Sequence, residues 1–78
     1  MNTALQDVAL LADAHRAAVL RRAYFHVGDR SVAEDLSQEV FLRAVRHWGG
    51  VRDKTRPAAW LMAVTANVAR DHHRSSLR

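Results

Sequence analysis

The sequence of 78 residues contains no cysteine. This absence excludes disulfides, thiolate metal sites and cysteine nucleophiles, so packing must stabilise the fold. No apolar run is long enough to cross a bilayer, and the first residues lack the basic-then-apolar order of a signal peptide. We therefore expect a cytoplasmic protein without a membrane partner.

Proline and glycine are also scarce, with one and three residues, and no segment alternates apolar and polar residues as a strand does. Because 49% of the residues are hydrophobic, the chain can form the core of one small domain. The sequence predicts an all-α fold, a small three-helix bundle that forms a single domain over residues 1–78. The helices are expected at about 5–25, 32–47 and 57–74, with a basic loop at about 49–56.

The few glycines lie between the predicted helices, and the proline lies at the start of the third. Gly28 can adopt the left-handed conformation that ends a helix. Ser31 and Glu34 have the spacing of a capping box, which predicts the start of the second helix. The glycine pair at 49–50 would end that helix, and Pro57 is suited to the first turn of the third.

Apolar residues at helical spacing predict the core. In the second helix the apolar arc consists of Val32, Ala33, Leu36, Val40, Phe41, Ala44, Val45 and Trp48. In the third helix the inner side consists of Pro57, Ala58, Trp60, Leu61, Val64, Val68 and Ala69. Tyr24 and Phe25, at the end of the first helix, are also expected in the core.

Leu42 falls on the polar side of the second helix. Its neighbours on that side are Asp35, Gln38, Glu39, Arg43 and Arg46. An exposed leucine usually has no function, and geometry alone favours that interpretation. The alternative is a docking patch with an apolar centre and a polar rim.

The positive charge is concentrated at the carboxyl-terminal end. Residues 49–78 carry six basic and two acidic side chains, which accounts for the whole net charge of +4. On the third helix, small and cationic residues share one face: Ala63, Ala66, Asn67, Arg70, His73 and Arg74. This pattern favours a polyanionic partner such as nucleic acid, and the alternative is a solvated basic surface.

No pattern of catalytic residues is present, so we expect neither enzyme activity nor a cofactor. Asp71, His72 and His73 are adjacent, and neighbours on a helix point about 100° apart, which makes a zinc site improbable. Asp35 and Glu39 share a face, but exposed carboxylates beside arginines usually form ion pairs. Trp60 lies at the border of the apolar and basic arcs, where packing is favoured over stacking on a base.

Two segments resemble a known family. They read "GDRSVAEDLSQEVFLRAVRH" and "RPAAWLMAVTANVARDHHR". Together they resemble region two of bacterial RNA polymerase sigma factors of the extracytoplasmic-function group. The match is strongest over residues 27–74 and looser in the first helix.

The resemblance implies a role for each part of the chain. The second helix would dock on the clamp helices of the polymerase beta-prime subunit through Asp35, Gln38, Glu39, Leu42 and Arg46. The loop at 49–56 would capture a base flipped from the promoter minus-ten element, and the third helix would contact the opened strand. The implied DNA-binding residues are Arg52, Lys54, Arg56, Trp60, Asn67, Arg70 and Arg74.

Two departures from the family pattern bear on this function. Many relatives have an arginine just before the asparagine, whereas Ala66 precedes Asn67 here, so one cationic contact with the strand is missing. The helix-turn-helix domain that reads the minus-thirty-five element does not occur within these residues. An alternative hypothesis is therefore a protein-interaction module that competes for the clamp, or binds an anti-sigma factor through helices one and three, without selecting promoters. A generic basic DNA-binding domain is a third.

Overall fold

The structure, a computed structural model, describes residues 3–76. It contains, in chain order, α1 (Thr3–Val27), α2 (Arg30–His47), a short 3₁₀ helix (Trp48–Gly50) and α3 (Pro57–Ser76). No strand occurs in this part of the chain, and the three α-helices pack against one another. The predicted all-α fold is confirmed, and the helices extend up to two residues beyond their predicted ends.

The junction between α1 and α2 depends on two adjacent residues. Gly28 has a φ of 69°, as predicted, and its amide donates to the Tyr24 carbonyl at 2.8 Å. Asp29 is the N-cap of α2, because its backbone is extended and its Oδ1 accepts from the Val32 amide at 3.1 Å. The predicted capping box of Ser31 and Glu34 is therefore wrong.

The reason is the position of the first helical residue. Since Asp29 caps the helix, α2 begins at Arg30, and Ser31 already lies within its first turn. Glu34 does not reach back to an amide but pairs with Arg30, whose Nε lies 3.2 Å from Oε1.

The second junction starts with the 3₁₀ helix, which includes the glycine pair at 49–50. The Val51 amide donates to the Trp48 carbonyl at 3.1 Å, and residues 51–56 then run without helix to Pro57. The predicted basic loop therefore corresponds to residues 51–56, which we call the basic loop from here on.

The core combines a few branched side chains with several alanines. Val19, Val40 and Leu61 are completely buried between the helices. The buried alanines are Ala23, Ala33, Ala44 and Ala69. Small residues at these positions let the helix backbones approach closely. The predicted apolar arc of α2 is buried or half-buried throughout.

Three predicted core residues lie on the surface instead. Tyr24 is 51% and Phe25 77% exposed, because Ala23 is the residue at this end of α1 that faces the core. Ala58, in the first turn of α3, is also exposed. Thr65 is buried although it is polar, since its hydroxyl donates to the Leu61 carbonyl at 2.7 Å.

Candidate functional site

The polar side of α2 presents an exposed leucine. Leu42 is 58% exposed, and Asp35, Gln38 and Arg46 are exposed around it, while Glu39 is half-buried. These residues are spaced by three or four positions, so they share one face of the helix. We call them the Leu42 patch.

An ion-pair network forms the rim of the Leu42 patch. Glu39 Oε1 accepts from Arg43 Nε at 3.2 Å and from an Arg46 terminal nitrogen at 3.1 Å. Asp35 makes no ion pair with any residue of 3–76. Asp35 and Arg46 are exposed, so ion pairing at this rim contributes little to stability, and both side chains remain available to a partner.

Leu42 also lies at the edge of a groove between α1 and α2, about 390 Å³ in volume. The groove is lined by Leu5, Val8, Ala9, Ala12, Arg16, Gln38, Phe41, Leu42 and Val45. The contribution of α1 to this surface was not predicted. On α1, the apolar residues at 5, 9 and 12 are spaced i, i+4, i+7, as residues 35, 39 and 42 are on α2, so each set shares one helical face. This spacing is the sequence signal that could have predicted the contribution of α1.

Arg43 has a structural role beside the patch. Its guanidinium bridges Glu39 and Asp71, with 3.0 Å to the Asp71 carboxylate, so it joins α2 to α3. Burial lowers the pKa of Arg43, but hydrogen bonds and charge from Glu39 and Asp71 outweigh it, and the net pKa is raised. Arg43 therefore stays charged and is occupied within the bundle.

The basic loop presents cations to solvent. Arg52, Lys54 and Arg56 are exposed, and none of them lies within ion-pair distance of a carboxylate in the described part of the chain. Asp53 is held within the loop by the side-chain hydroxyl and the amide of Thr55. These hydrogen bonds lower the pKa of Asp53.

The outer face of α3 also presents cations to solvent. Asn67, Arg70 and Arg74 are exposed and, at spacings of three and four, share one face. Neither arginine is paired with a carboxylate of residues 3–76. Trp60 lies two turns before Asn67 on the same side, but it is half-buried, with its ring centroid 5.3 Å from that of Trp48. Packing, the favoured interpretation of Trp60, is what the structure displays.

The carboxyl-terminal end of α1 carries an exposed aromatic patch that was predicted to be core. Arg22 lies over the Phe25 ring, 5.8 Å from its centroid. Open grooves beside this ring are lined by Leu20, Arg21, Tyr24 and, on α3, Met62. We call this surface the Phe25 patch.

The histidines and acidic residues do not form a metal centre in the described residues, where no three of them come together. The His73 ring instead lies 3.2 Å from the His26 carbonyl and 5.9 Å, between centroids, from the His72 ring. None of the helices between residues 3 and 76 is long and apolar enough to span a membrane.

The comparisons with known proteins agree on one family. Residues 11–78 match the family described as Sigma-70 region 2. Over 67 residues, or 85% of this chain, the sequence is 40% identical to the ECF RNA polymerase sigma factor BldN of Streptomyces coelicolor. It is 43% identical, again over 67 residues, to the ECF RNA polymerase sigma factor SigL of Mycobacterium tuberculosis.

A more distant relative is the RNA polymerase sigma factor CarQ of Myxococcus xanthus, which is 44% identical over 45 residues, 58% of this chain and 26% of CarQ. The chain spans 25% of the length of BldN and 38% of the length of SigL. No solved structure matches the chain significantly. Because the family match covers most of its residues, the chain belongs to the Sigma-70 region 2 family, in the extracytoplasmic-function group of sigma factors.

Proposed function

We propose that this chain binds core RNA polymerase through α2 and recognises and melts the promoter minus-ten element through the basic loop and α3. The observation that carries the proposal is the exposure of Leu42 at the edge of a groove, on a helix whose other apolar residues are buried or half-buried. The relatives, named as RNA polymerase sigma factors, support the assignment of polymerase and promoter DNA as partners.

The Leu42 patch has the chemistry of a helix-docking surface. A leucine and an apolar groove provide the centre, and Asp35, Gln38 and Arg46 provide a polar rim. Covering an exposed leucine contributes about 1.5–3 kcal/mol to binding, and the rim adds orientation. We propose the clamp helices of the beta-prime subunit as the occupant, as the family resemblance implies.

The basic loop and α3 have the chemistry of a single-strand surface. Arg52, Arg56, Arg70 and Arg74 are cations without carboxylate partners among residues 3–76, so they are free to bind phosphates. Asn67 adds an exposed amide that can hydrogen-bond a base edge. Flipping a base costs a few kcal/mol of stacking, so the isolated domain is expected to bind the strand weakly and polymerase to assist it.

The strand-binding part is tested with a fluorescent single-stranded minus-ten oligonucleotide and the chain bound to core polymerase. Asn67→Ala is expected to reduce the preference for the matched sequence, and Arg70→Ala to weaken binding of all sequences and flatten the salt dependence. Arg30→Ala is the matched control, because it removes an exposed arginine at the start of α2, beside Tyr24 and Phe25, that is not among the proposed strand-binding residues. Affinity that does not fall as salt rises would contradict the mechanism.

A second candidate function is favoured by the Phe25 patch. Phe25, whose side chain is 77% exposed beside Tyr24 and Met62, offers an apolar contact to another protein. The chain would then occupy the clamp or bind an anti-sigma factor through α1 and α3 without choosing promoters. In vitro transcription from a matched promoter, with residues 1–78 as the sole sigma component, separates the two. Specific initiation supports the first proposal, and competition with another sigma factor without initiation supports the second.

A further inference from the structure

Trp48 connects distant parts of the fold. Its side chain is almost completely buried, and its indole N–H donates to Asp7 Oδ2 at 3.0 Å, across 41 positions of sequence. Asp7 lies near the amino-terminal end of α1. The hydrogen bond therefore links the start of α1 to the residue that directly follows α2.

The same indole ring contacts the basic loop and α3. The Lys54 ammonium lies 5.4 Å from the centroid of the Trp48 ring, and the Trp60 ring packs against it at an interplanar angle of 60°. Lys54 Nζ also donates to the Val51 carbonyl at 2.8 Å, which draws the loop together over the ring. Trp48 is thus the point where α1, the basic loop and α3 meet.

This arrangement restricts a loop that otherwise has few constraints. Residues 51–56 form no helix, and they follow two glycines at which an added Cβ atom would meet no neighbouring atom. Fixing a flexible residue costs conformational entropy, so a loop ordered in advance binds its ligand more tightly. A buried indole N–H without an acceptor is unfavourable, so loss of the Asp7 carboxylate would destabilise the Trp48 ring in this position.

We propose that Asp7 and Trp48 are positioning residues for strand recognition: Asp7 fixes the Trp48 ring, and the ring holds the basic loop in the shape that reads the minus-ten strand. Neither residue contacts DNA in this account. The inference rests on the proposed function of the loop, so its test combines a readout of loop order with a readout of DNA recognition.

Loop order is measured by limited proteolysis with trypsin, which cuts after Arg52 and Lys54. Asp7→Ala is expected to accelerate cleavage in the loop by at least about threefold, because cleavage follows local opening. Asp7→Asn retains an acceptor oxygen and is expected to restore most of the protection. Asp13→Ala is the matched control, since it removes an exposed carboxylate from the same helix without contact to Trp48.

Recognition is measured as the ratio of affinities for matched and scrambled minus-ten oligonucleotides, with the chain bound to core polymerase. Asp7→Ala is expected to lower this ratio by at least about threefold relative to Asp13→Ala, and Asp7→Asn to recover it. A purely stabilising role would not change the ratio under conditions where circular dichroism reports a fully folded chain. Trp48→Phe, which keeps a ring but loses the N–H, is expected to behave as Asp7→Ala does.

The outcomes separate this inference from the proposed function. Equal loop cleavage in Asp7→Ala and Asp13→Ala overturns the inference. Faster cleavage with an unchanged ratio, while Asn67→Ala lowers the ratio, also overturns it but leaves the proposed function intact. If the parent chain itself does not prefer the matched oligonucleotide, the proposed function fails and the positioning role falls with it. Faster cleavage together with a lower ratio supports both.

Discussion

Leu42 and Phe25 are both exposed, but helical periodicity predicted the exposure of Leu42 alone. Leu42 stands among polar neighbours on its own helical face, so the helical period alone placed it on the surface. Phe25 follows Ala23 and Tyr24 in an apolar run, and the period does not tell which of three adjacent apolar residues turns inward. In the structure Ala23 is buried in the core, and the rings of Tyr24 and Phe25 are exposed to solvent.

In the basic loop, the hydrogen bonds from Thr55 to Asp53 have an effect on the Asp53 pKa that can be measured. Hydrogen bonds from the Thr55 side chain and amide lower its pKa in the folded chain. Their contribution to loop order is therefore present above the ordinary pKa of an aspartate and is lost as pH falls through the lowered, folded-state pKa. Thr55→Val removes the hydroxyl and is expected to raise the pKa of Asp53 towards its ordinary range, measured by NMR titration of the carboxyl carbon. An unchanged pKa would show that the hydroxyl does not hold this carboxylate.

At the scale of helices and turns, the sequence predicted the type and order of every α-helix, because long periodic segments and the positions of Gly28 and Pro57 are local signals. The cap of α2 was placed two residues too late. Ser31 alone was predicted as the cap, whereas Asp29, which is also of a cap-forming residue type, has the extended backbone of an N-cap in the structure. The position of the cap depends on the backbone conformation that follows Gly28, and residue types alone do not specify that conformation.

The cap assignment predicts different effects for two neighbouring substitutions. Asp29→Ala is expected to lower the free energy of unfolding by about 0.5–2 kcal/mol, because the Val32 amide loses its acceptor. Ser31→Ala is expected to change it by less than about 0.5 kcal/mol, as is usual for an exposed site. Urea denaturation followed by circular dichroism measures both. A larger loss for Ser31→Ala than for Asp29→Ala would restore the capping box.

At the scale of the whole molecule, the bundle has a small core. Its completely buried apolar residues are mainly valines and alanines, with Leu61 as the largest. A domain of this size has little stability in reserve. The contacts that complete the functional surfaces are also long-range: α1 supplies part of the groove beside Leu42, and Asp7 reaches Trp48. Such contacts depend on how the helices pack, so periodicity within each helix could not predict them.

The small core makes one buried side chain decisive. Leu61→Ala is expected to lower the free energy of unfolding by about 2–5 kcal/mol, because it removes buried apolar surface and leaves a cavity. That loss is a large part of the total expected for a small domain, so a substantial unfolded population should appear. Leu10→Ala, at a site that is 70% exposed, is the control and is expected to change stability by less than about 0.5 kcal/mol. Equal unfolding midpoints in urea would mean that Leu61 is not central to the core.

We propose that one small bundle carries a polymerase-binding surface on α2, separate from a strand-binding surface on α3. Capture of core RNA polymerase by immobilised variants of the chain tests it most directly. Leu42→Glu is expected to reduce capture at least about tenfold, because a charge replaces the apolar centre of the interface, while helicity stays unchanged. Leu10→Glu, an exposed leucine outside the groove, and Asn67→Ala, on α3, are expected to capture polymerase as the parent does. Capture by Leu42→Glu at the parental level would show that Leu42 does not lie in the polymerase interface.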